Sequence, residues 1–345
     1  MKQEAHSWIA IRAIALLADK GGNKNLVRLL GDHACEASVG AWIPDSTDAK
    51  SGGSATENHI FKMKPFRGKS PDRFVAEKNV LLKRLGPARA MSAYLADDNK
   101  LDPDWWAQAY KADPMKPGQH LPNRAMALST MLKDLLLLGD ESVDSLVGRG
   151  RIFDAYTVSD AQTRQEALAA YFFMLSHFIA DSCMPCHGDA RNLSAYGKGL
   201  HKQWEEHWSK AVAAEFAKDA LINKGAAPSA CIPGDEAMEK ARGKDKKFGL
   251  DFDETTIPSL PKGRDVWLEM VDVCRASFAL ASIVAPPAKY GYGDTKARAR
   301  FDAVLAGKPI LKEMDRVIMH DAVLNTAMVW KNVWQALGKK PAKPK

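Results

Sequence analysis

Apolar residues recur at intervals of three and four along seven long segments of the chain, which is the pattern of amphipathic or buried α-helices. These segments span residues 5–18, 72–95, 124–138, 163–181, 200–221, 266–283 and 311–337. Short strand pairs remain open only at residues 39–44 and 60–65. Segments rich in Gly, Pro, Ser and Asp predict loops at residues 20–24, 45–58, 182–199, 226–249 and 285–296. The sequence therefore predicts an all-α fold, one multi-helix bundle domain with long loop insertions.

The chain shows no feature of a membrane-spanning or strongly basic protein. No uninterrupted apolar stretch of about 18 residues occurs, so no transmembrane segment is predicted. The first apolar run is broken by Arg12 and lacks a small-residue cleavage pattern, so no clear signal peptide is present. The formal charge is +7, but four lysines lie in the basic tail at residues 339–345, which leaves about +3 for residues 1–338. That charge is too low to indicate nucleic-acid binding, and no obligate protein partner is evident.

Two metal-competent side chains lie within the most apolar of the predicted helices. Residues 167–180 are apolar almost all round, so this helix is expected at the centre of the bundle. It carries His177 and Asp181, which are four residues apart and therefore share one face. A buried carboxylate needs a cation, hydrogen bonds or a metal. A His-Asp hydrogen bond in the core and a metal site both satisfy this requirement at this point.

The next segments add three more side chains of the same kind. His187 follows the turn that Pro185 predicts, and His201 and Glu205 are again four residues apart, near the start of the next helix. Five metal-competent side chains thus occupy 29 consecutive positions. Imidazole nitrogens and carboxylate oxygens suit zinc, and a site without thiolates also accepts manganese or iron. Near the start of the chain, His6, Asp45 and His59 are further candidates, although each carries little weight alone.

Taken together, these motifs resemble the superfamily of zinc-dependent phospholipases C and single-strand-specific nucleases. The matching stretches are AHSWIAIRAI from residue 5, Asp45, His59, LSHFIAD from residue 175, MPCH from residue 184 and LHKQWE from residue 200. Glu205 as the last ligand and the short interval from His187 to His201 are more similar to the bacterial phospholipases C. The resemblance covers residues 5–60 and 165–208, is fainter over 310–337, and is absent over 61–160, which is predicted to be an insertion in a domain of residues 1–338.

The resemblance implies a hydrolase of phosphodiester bonds with three zinc ions in the bundle. Nine residues are implied as ligands: Met1, His6, Asp45, His59, His177, Asp181, His187, His201 and Glu205. Asp45 is also implied as the base that takes a proton from the attacking water. The substrate is then a phospholipid or a single-stranded nucleic acid, and the compartment is secreted or periplasmic.

The chain departs from this superfamily at two places. The relatives expose a mature N-terminal Trp whose amino group and carbonyl bind the third zinc, whereas this chain begins with Met1, five residues before His6. The aromatic residues of the phospholipase choline pocket are replaced by Ser46 and Thr56, so choline lipids are not the expected substrate. A non-catalytic helical module in which zinc only holds the helices together is the alternative from another class.

Other features were given no function. The CxxC formed by Cys183 and Cys186 has no second CxxC to complete a zinc site, although a disulfide between the two remains open. His33, His120 and His320 have no partner at ligand spacing, and His207 is a candidate neighbour of Glu205.

Overall fold

The computed structural model describes residues 2–50, 56–64, 113–114, 120–138, 161–189, 200–216, 232–260, 263–284 and 308–335. Within them the fold is all-α, as predicted, apart from a two-residue antiparallel pairing of Met63–Lys64 (β1) with Asp113–Pro114 (β2). The predicted helix at 72–95, the tail at 339–345, Met1 and most of the predicted insertion at 61–160 lie outside the described residues.

The helices are labelled α1 to α12 in chain order. Their bounds are Gln3–Asp19 (α1), Lys24–Asp32 (α2), Ala37–Gly40 (α3), Ile43–Lys50 (α4), Leu121–Leu138 (α5), Ala161–Ser182 (α6), Pro185–Gly188 (α7), Leu200–Phe216 (α8), Gly234–Gly243 (α9), Asp245–Phe248 (α10), Val266–Val284 (α11) and Lys308–Gln335 (α12). Short 3-10 helices lie at Ala34–Glu36 and Thr56–His59. None of the helices described here is long and apolar enough to cross a membrane.

Helix α1 lies at the centre of the bundle. Every residue from Ala5 to Leu17 is buried, and the helix packs against α12, α8, α9 and α6. An apolar surface all round a helix can be buried only when neighbours surround it, which explains this position. The charge of Arg12, which interrupts the apolar run, is neutralised by Asp245 at the start of α10, with side-chain contacts of 2.8–3.0 Å.

Three sequence expectations about local structure are wrong. Residues 39–44 form parts of α3 and α4 instead of a strand, the loop predicted at 45–58 contains most of α4 and a 3-10 helix, and that at 226–249 contains α9 and α10. These segments are short, and polar residues with Gly or Pro obscure their helical periodicity. Packing supplies the stability that propensity lacks, since α9 covers α1 and α2.

A close contact between two glycines holds α9 against α2. A Cβ atom on Gly234 would lie 2.3 Å from the carbonyl oxygen of Gly31, whereas a Cβ atom on Gly31 would meet nothing within 4 Å. We expect Gly234→Ala to lower the free energy of unfolding by about 1–3 kcal/mol, because backbone must move on one side of the contact. Gly31→Ala, at the other side of the same contact, should be neutral or stabilising. Denaturant unfolding of both variants tests this, and equal effects would contradict it.

Candidate metal centre

The centre is built around His177 and Asp181, one turn apart near the end of α6. Both side chains are fully buried. The Nδ1 atom of His177 lies 2.6 Å from the carbonyl oxygen of Ala41, between α3 and α4. A carbonyl oxygen only accepts, so Nδ1 carries the proton, and in the neutral ring the lone pair on Nε2 is directed at the interior of the centre.

His177 Nε2 forms a triangle with one atom of His59 and one of Asp181. His177 Nε2 lies 3.0 Å from His59 Nδ1 and 3.1 Å from Asp181 Oδ2, and the last two atoms are 2.9 Å apart. When the His177 ring is neutral, only His59 Nδ1 can bring a proton into this triangle, so one proton is available for its three contacts. The remaining contacts bring lone pairs together, and these repel unless a cation lies between them. Donor atoms about 3.3 Å apart are expected around a tetrahedral zinc ion with bonds of about 2.0–2.1 Å.

A second group is formed by His187, His201 and Glu205. His187 is carried by the short helix α7, and the other two side chains follow one another by one turn on α8. His201 Nε2 lies 2.6 Å from Glu205 Oε1 and 3.0 Å from His187 Nε2, while His187 Nε2 and Glu205 Oε1 are 3.9 Å apart. Two nitrogens and one carboxylate oxygen therefore converge, which leaves a further coordination position for water or a substrate oxygen.

Asp181 connects the groups, because its two oxygens face different neighbours. Oδ2 belongs to the triangle with His59 and His177, whereas Oδ1 lies 3.5 Å from His6 Nε2 and 3.6 Å from His187 Nδ1. The ring of His6 stacks on that of His177, with centroids 3.9 Å apart. This arrangement allows Asp181 to bridge two ions.

Asp45 closes the centre on the side that is most open to solvent. Its side chain on α4 is 26% exposed, and Oδ1 lies 3.5 Å from His177 Nε2 and 3.7 Å from His59 Nδ1. Burial and the nearby Asp181 raise the pKa of Asp45 above its ordinary value. Of the three carboxylates in the centre, Asp45 is therefore the one best placed to contact both a metal ion and an incoming molecule.

The pKa shifts of His6, His187 and Asp181 match a cation site, whereas at His59 burial is outweighed by the hydrogen bond to Asp181 together with the nearby carboxylates, which raise the pKa. Burial lowers the pKa of His6 and of His187 well below the ordinary value, so both rings are neutral and offer lone pairs. Burial alone would raise the pKa of Asp181, but basic groups around its carboxyl group, His177 and His187 among them, favour the ionised form, and the pKa lies well below the usual range. Both ring nitrogens of His6 and Nδ1 of His187 are buried without a hydrogen-bond partner among the described residues. Each neutral ring has one protonated nitrogen and one with a lone pair, so a cation could serve as the partner of one nitrogen in each ring.

These eight side chains form three groups that could each hold a metal ion: His6 with Asp45 and His177; His59 with His177 and Asp181; and His187 with His201 and Glu205. Eight of the nine predicted ligands thus lie together, and Met1 is outside the described residues. Cys183 and Cys186 are buried thiols that form no disulfide with each other.

Two supporting contacts were not predicted from the sequence. The first is the contact of His177 with the backbone carbonyl of Ala41, which no pattern of side chains in the sequence indicates. Asp315 on α12 accepts hydrogen bonds of 2.7 Å from both Trp204 and Trp208 and lies 2.9 Å from His207. Asp315 therefore anchors α8, the helix that carries His201 and Glu205, and His207 pairs with Asp315. The four-residue spacing of the two tryptophans was the only indication of this contact.

Gly40 sets the distance between α3 and the metal-binding helix α6. A Cβ atom there would lie 2.6 Å from Cβ of Phe173. We expect Gly40→Ala to push α3 outward and weaken the bond from His177 to Ala41, which lowers zinc affinity about ten- to hundredfold, as loss of a ligand's hydrogen-bond partner does. Competition with a chromogenic chelator measures this affinity. Gly31→Ala serves as the control, and equal affinities in the two variants would contradict the role of this contact.

The chain was compared with models of protein families, with curated proteins and with solved structures. None of the three comparisons found a match. The resemblance to the phospholipase C and nuclease superfamily therefore stays a prediction, carried by the motifs.

Proposed function

We propose that the chain is a zinc-dependent hydrolase of phosphodiester bonds, similar to phospholipase C. The observation that carries the proposal is the position of Asp181, whose two oxygens face two separate sets of imidazoles. A carboxylate bridging metal ions a few ångströms apart is typical of centres that hydrolyse phosphate esters. A site that only holds helices together needs one closed, four-coordinate ion instead.

The residues would divide among three ions. His59, His177, Asp181 and Asp45 would hold the first, and His187, His201 and Glu205 the second. His6 and Asp181 would hold the third, with the amino terminus at Met1 as the further expected ligand. When bound, the zinc ions polarise the phosphoryl oxygens and lower the pKa of water toward about 7. Because the described part of the chain contributes three carboxylates to the centre, the loaded centre would keep net positive charge that attracts a phosphodiester.

Asp45 has two tasks in this proposal. One carboxylate oxygen contributes to the first metal site, and the partly exposed carboxylate takes the proton from the attacking water. The neighbouring Asp181 is fully buried, and Glu205 pairs with His201, so neither has this access. General base catalysis contributes about a hundred- to ten-thousandfold in rate.

Hydrolysis of bis(4-nitrophenyl) phosphate by the purified chain, before and after chelation and after zinc is restored, tests the proposal. We expect turnover that chelation abolishes and zinc restores. Asp45→Asn should lose at least about a hundredfold in kcat and keep most of its zinc, since an amide oxygen still binds metal but takes no proton. Zinc without turnover in the wild type would contradict catalysis and favour the structural role.

A single-strand-specific nuclease is the second candidate, with the same chemistry. Thr56 stands where the phospholipases carry a choline-binding aromatic residue, and its hydroxyl lies 3.0 Å from Asp48. A carboxylate-bonded hydroxyl provides no aromatic face for a quaternary ammonium group. Assays of mixed phospholipid micelles and of single-stranded DNA side by side separate the two candidates.

A further inference from the structure

At the edge of the metal centre, the cation of Arg124 has no acidic partner among the residues that the structure describes. Arg124 lies in the first turn of α5 and is exposed. Its side chain forms no ion pair and no hydrogen bond with any residue that the structure describes. Exposed arginines often pair with a neighbouring carboxylate, so a guanidinium beside a centre for anionic substrates remains available for a ligand.

Two contacts hold Arg124 beside the centre. The backbone N–H of His120 donates to the carbonyl oxygen of Glu57, at 2.9 Å, which ties the start of α5 to the 3-10 helix that ends at His59. The guanidinium carbon lies 5.9 Å from the ring centroid of Phe178. That ring is in turn 5.5 Å from the ring of His59 and 5.4 Å from that of His177. One phenyl ring therefore separates the guanidinium from the candidate metal ligands.

An exposed aromatic residue contacts the turn of α5 that carries this cation. Trp267 on α11 is 36% exposed, and its indole N–H donates to Asn123, the residue before Arg124, at 2.7 Å. The hydrogen bond holds the indole at the first turn of α5. The surface beside the centre thus offers a guanidinium and a flat apolar face, a combination that suits a phosphate attached to a sugar and base.

From this placement we propose that Arg124 binds a second anionic group of the substrate, adjacent to the phosphodiester that is cleaved. The proposal rests on the proposed function and names its substrate class, phosphodiesters that carry another negative charge nearby. A phosphate at the ion that His59, His177 and Asp181 would hold is separated from Arg124 by the ring of Phe178, so the guanidinium would bind the neighbouring anionic group. The planar fork of arginine binds phosphate through two parallel N–H donors.

Calorimetric titration of the zinc-loaded chain with thymidine 3′,5′-bisphosphate and with thymidine 5′-monophosphate tests the proposal without turnover. The two probes differ only in the 3′-phosphate. The wild type should bind the bisphosphate more tightly, and Arg124→Gln should reduce the ratio of the two dissociation constants by about tenfold, the effect of losing a charge-assisted contact. Lys133→Gln, which removes a cation from the same helix nine residues further on, should keep the wild-type ratio.

Hydrolysis is then measured with the same two nucleotides carrying a 4-nitrophenyl ester on the 5′-phosphate. The release of 4-nitrophenol gives the rate. A higher kcat/KM for the ester with the 3′-phosphate, lost in Arg124→Gln, supports the proposal. An unchanged affinity ratio in Arg124→Gln, or a wild type that does not prefer the bisphosphate, overturns it. If the wild type hydrolyses neither ester but the affinity ratio still depends on Arg124, the anion site stands and the proposed catalytic function fails.

Discussion

Asp181→Asn is expected to remove hydrolytic activity almost completely and to release at least one metal ion from the centre. Oδ1 and Oδ2 of Asp181 face different imidazoles, so one substitution weakens two sites at once. We expect activity on bis(4-nitrophenyl) phosphate to fall by about a thousandfold or more, beyond the ten- to hundredfold typical of residues that only orient a ligand. Metal content and kcat are measured on the same preparation.

Asp134→Asn is the matched control, because it removes an exposed carboxylate from α5. Circular dichroism and thermal unfolding of both variants show whether the bundle remains folded. A folded Asp181→Asn variant with wild-type metal content and activity would refute the bridging role of this carboxylate.

Removal of zinc should lower the melting temperature of the chain by about 6 °C. Without a cation, His6 and His187 keep buried ring nitrogens that have no hydrogen-bond partner among the described residues, and lone pairs face one another around His177. A single ion at a thousandfold excess over its Kd adds about 4 kcal/mol of stability, and each kcal/mol is worth about 1.4 °C at an unfolding entropy of about 2.1 cal/mol/K for each residue of the chain. The expected shift follows from one site, and further sites increase it.

Differential scanning calorimetry with and without chelator measures this shift. His33→Gln is the control variant, since His33 pairs with Glu36 outside the centre and its loss should leave the response to zinc unchanged. His6→Ala should show a smaller response. A wild-type melting temperature that is the same with and without zinc would show that the centre is stable without metal, as a network of hydrogen bonds.

The main helices could be predicted from the sequence because burial imposes periodicity on long elements. The segments at 5–18, 124–138, 163–181 and 266–283 lie within helices of nearly the same bounds, and the segment at 311–337 is helical over its described residues, as far as Gln335. The segment at 200–221 is helical as far as Phe216, where the description ends. Helices α2, α4 and α9 were missed, since their polar residues and short lengths gave weak patterns. Their positions depend on tertiary contacts such as Gly31 against Gly234.

The sequence predicted some parts of the candidate site and not others. Residue types and four-residue spacings placed His177 with Asp181 and His201 with Glu205 on single helix faces. Only the resemblance predicted that these pairs lie beside His6, Asp45 and His59. No spacing rule joins residues more than a hundred positions apart. The Ala41 carbonyl and the anchor at Asp315 depend on the packing of α3 and α12, and no local pattern indicates them. The binding of zinc by the clustered His, Asp and Glu side chains stays a prediction.

The metal content of the purified chain is the most direct test of the central claim. Inductively coupled plasma mass spectrometry of protein prepared with excess zinc and then freed of unbound metal counts the ions per chain. Two or three zinc ions per chain, reduced in Asp181→Asn and unchanged in Asp134→Asn, are the predicted result. A chain that retains no zinc under these conditions would contradict the assignment of the His, Asp and Glu cluster as a metal centre.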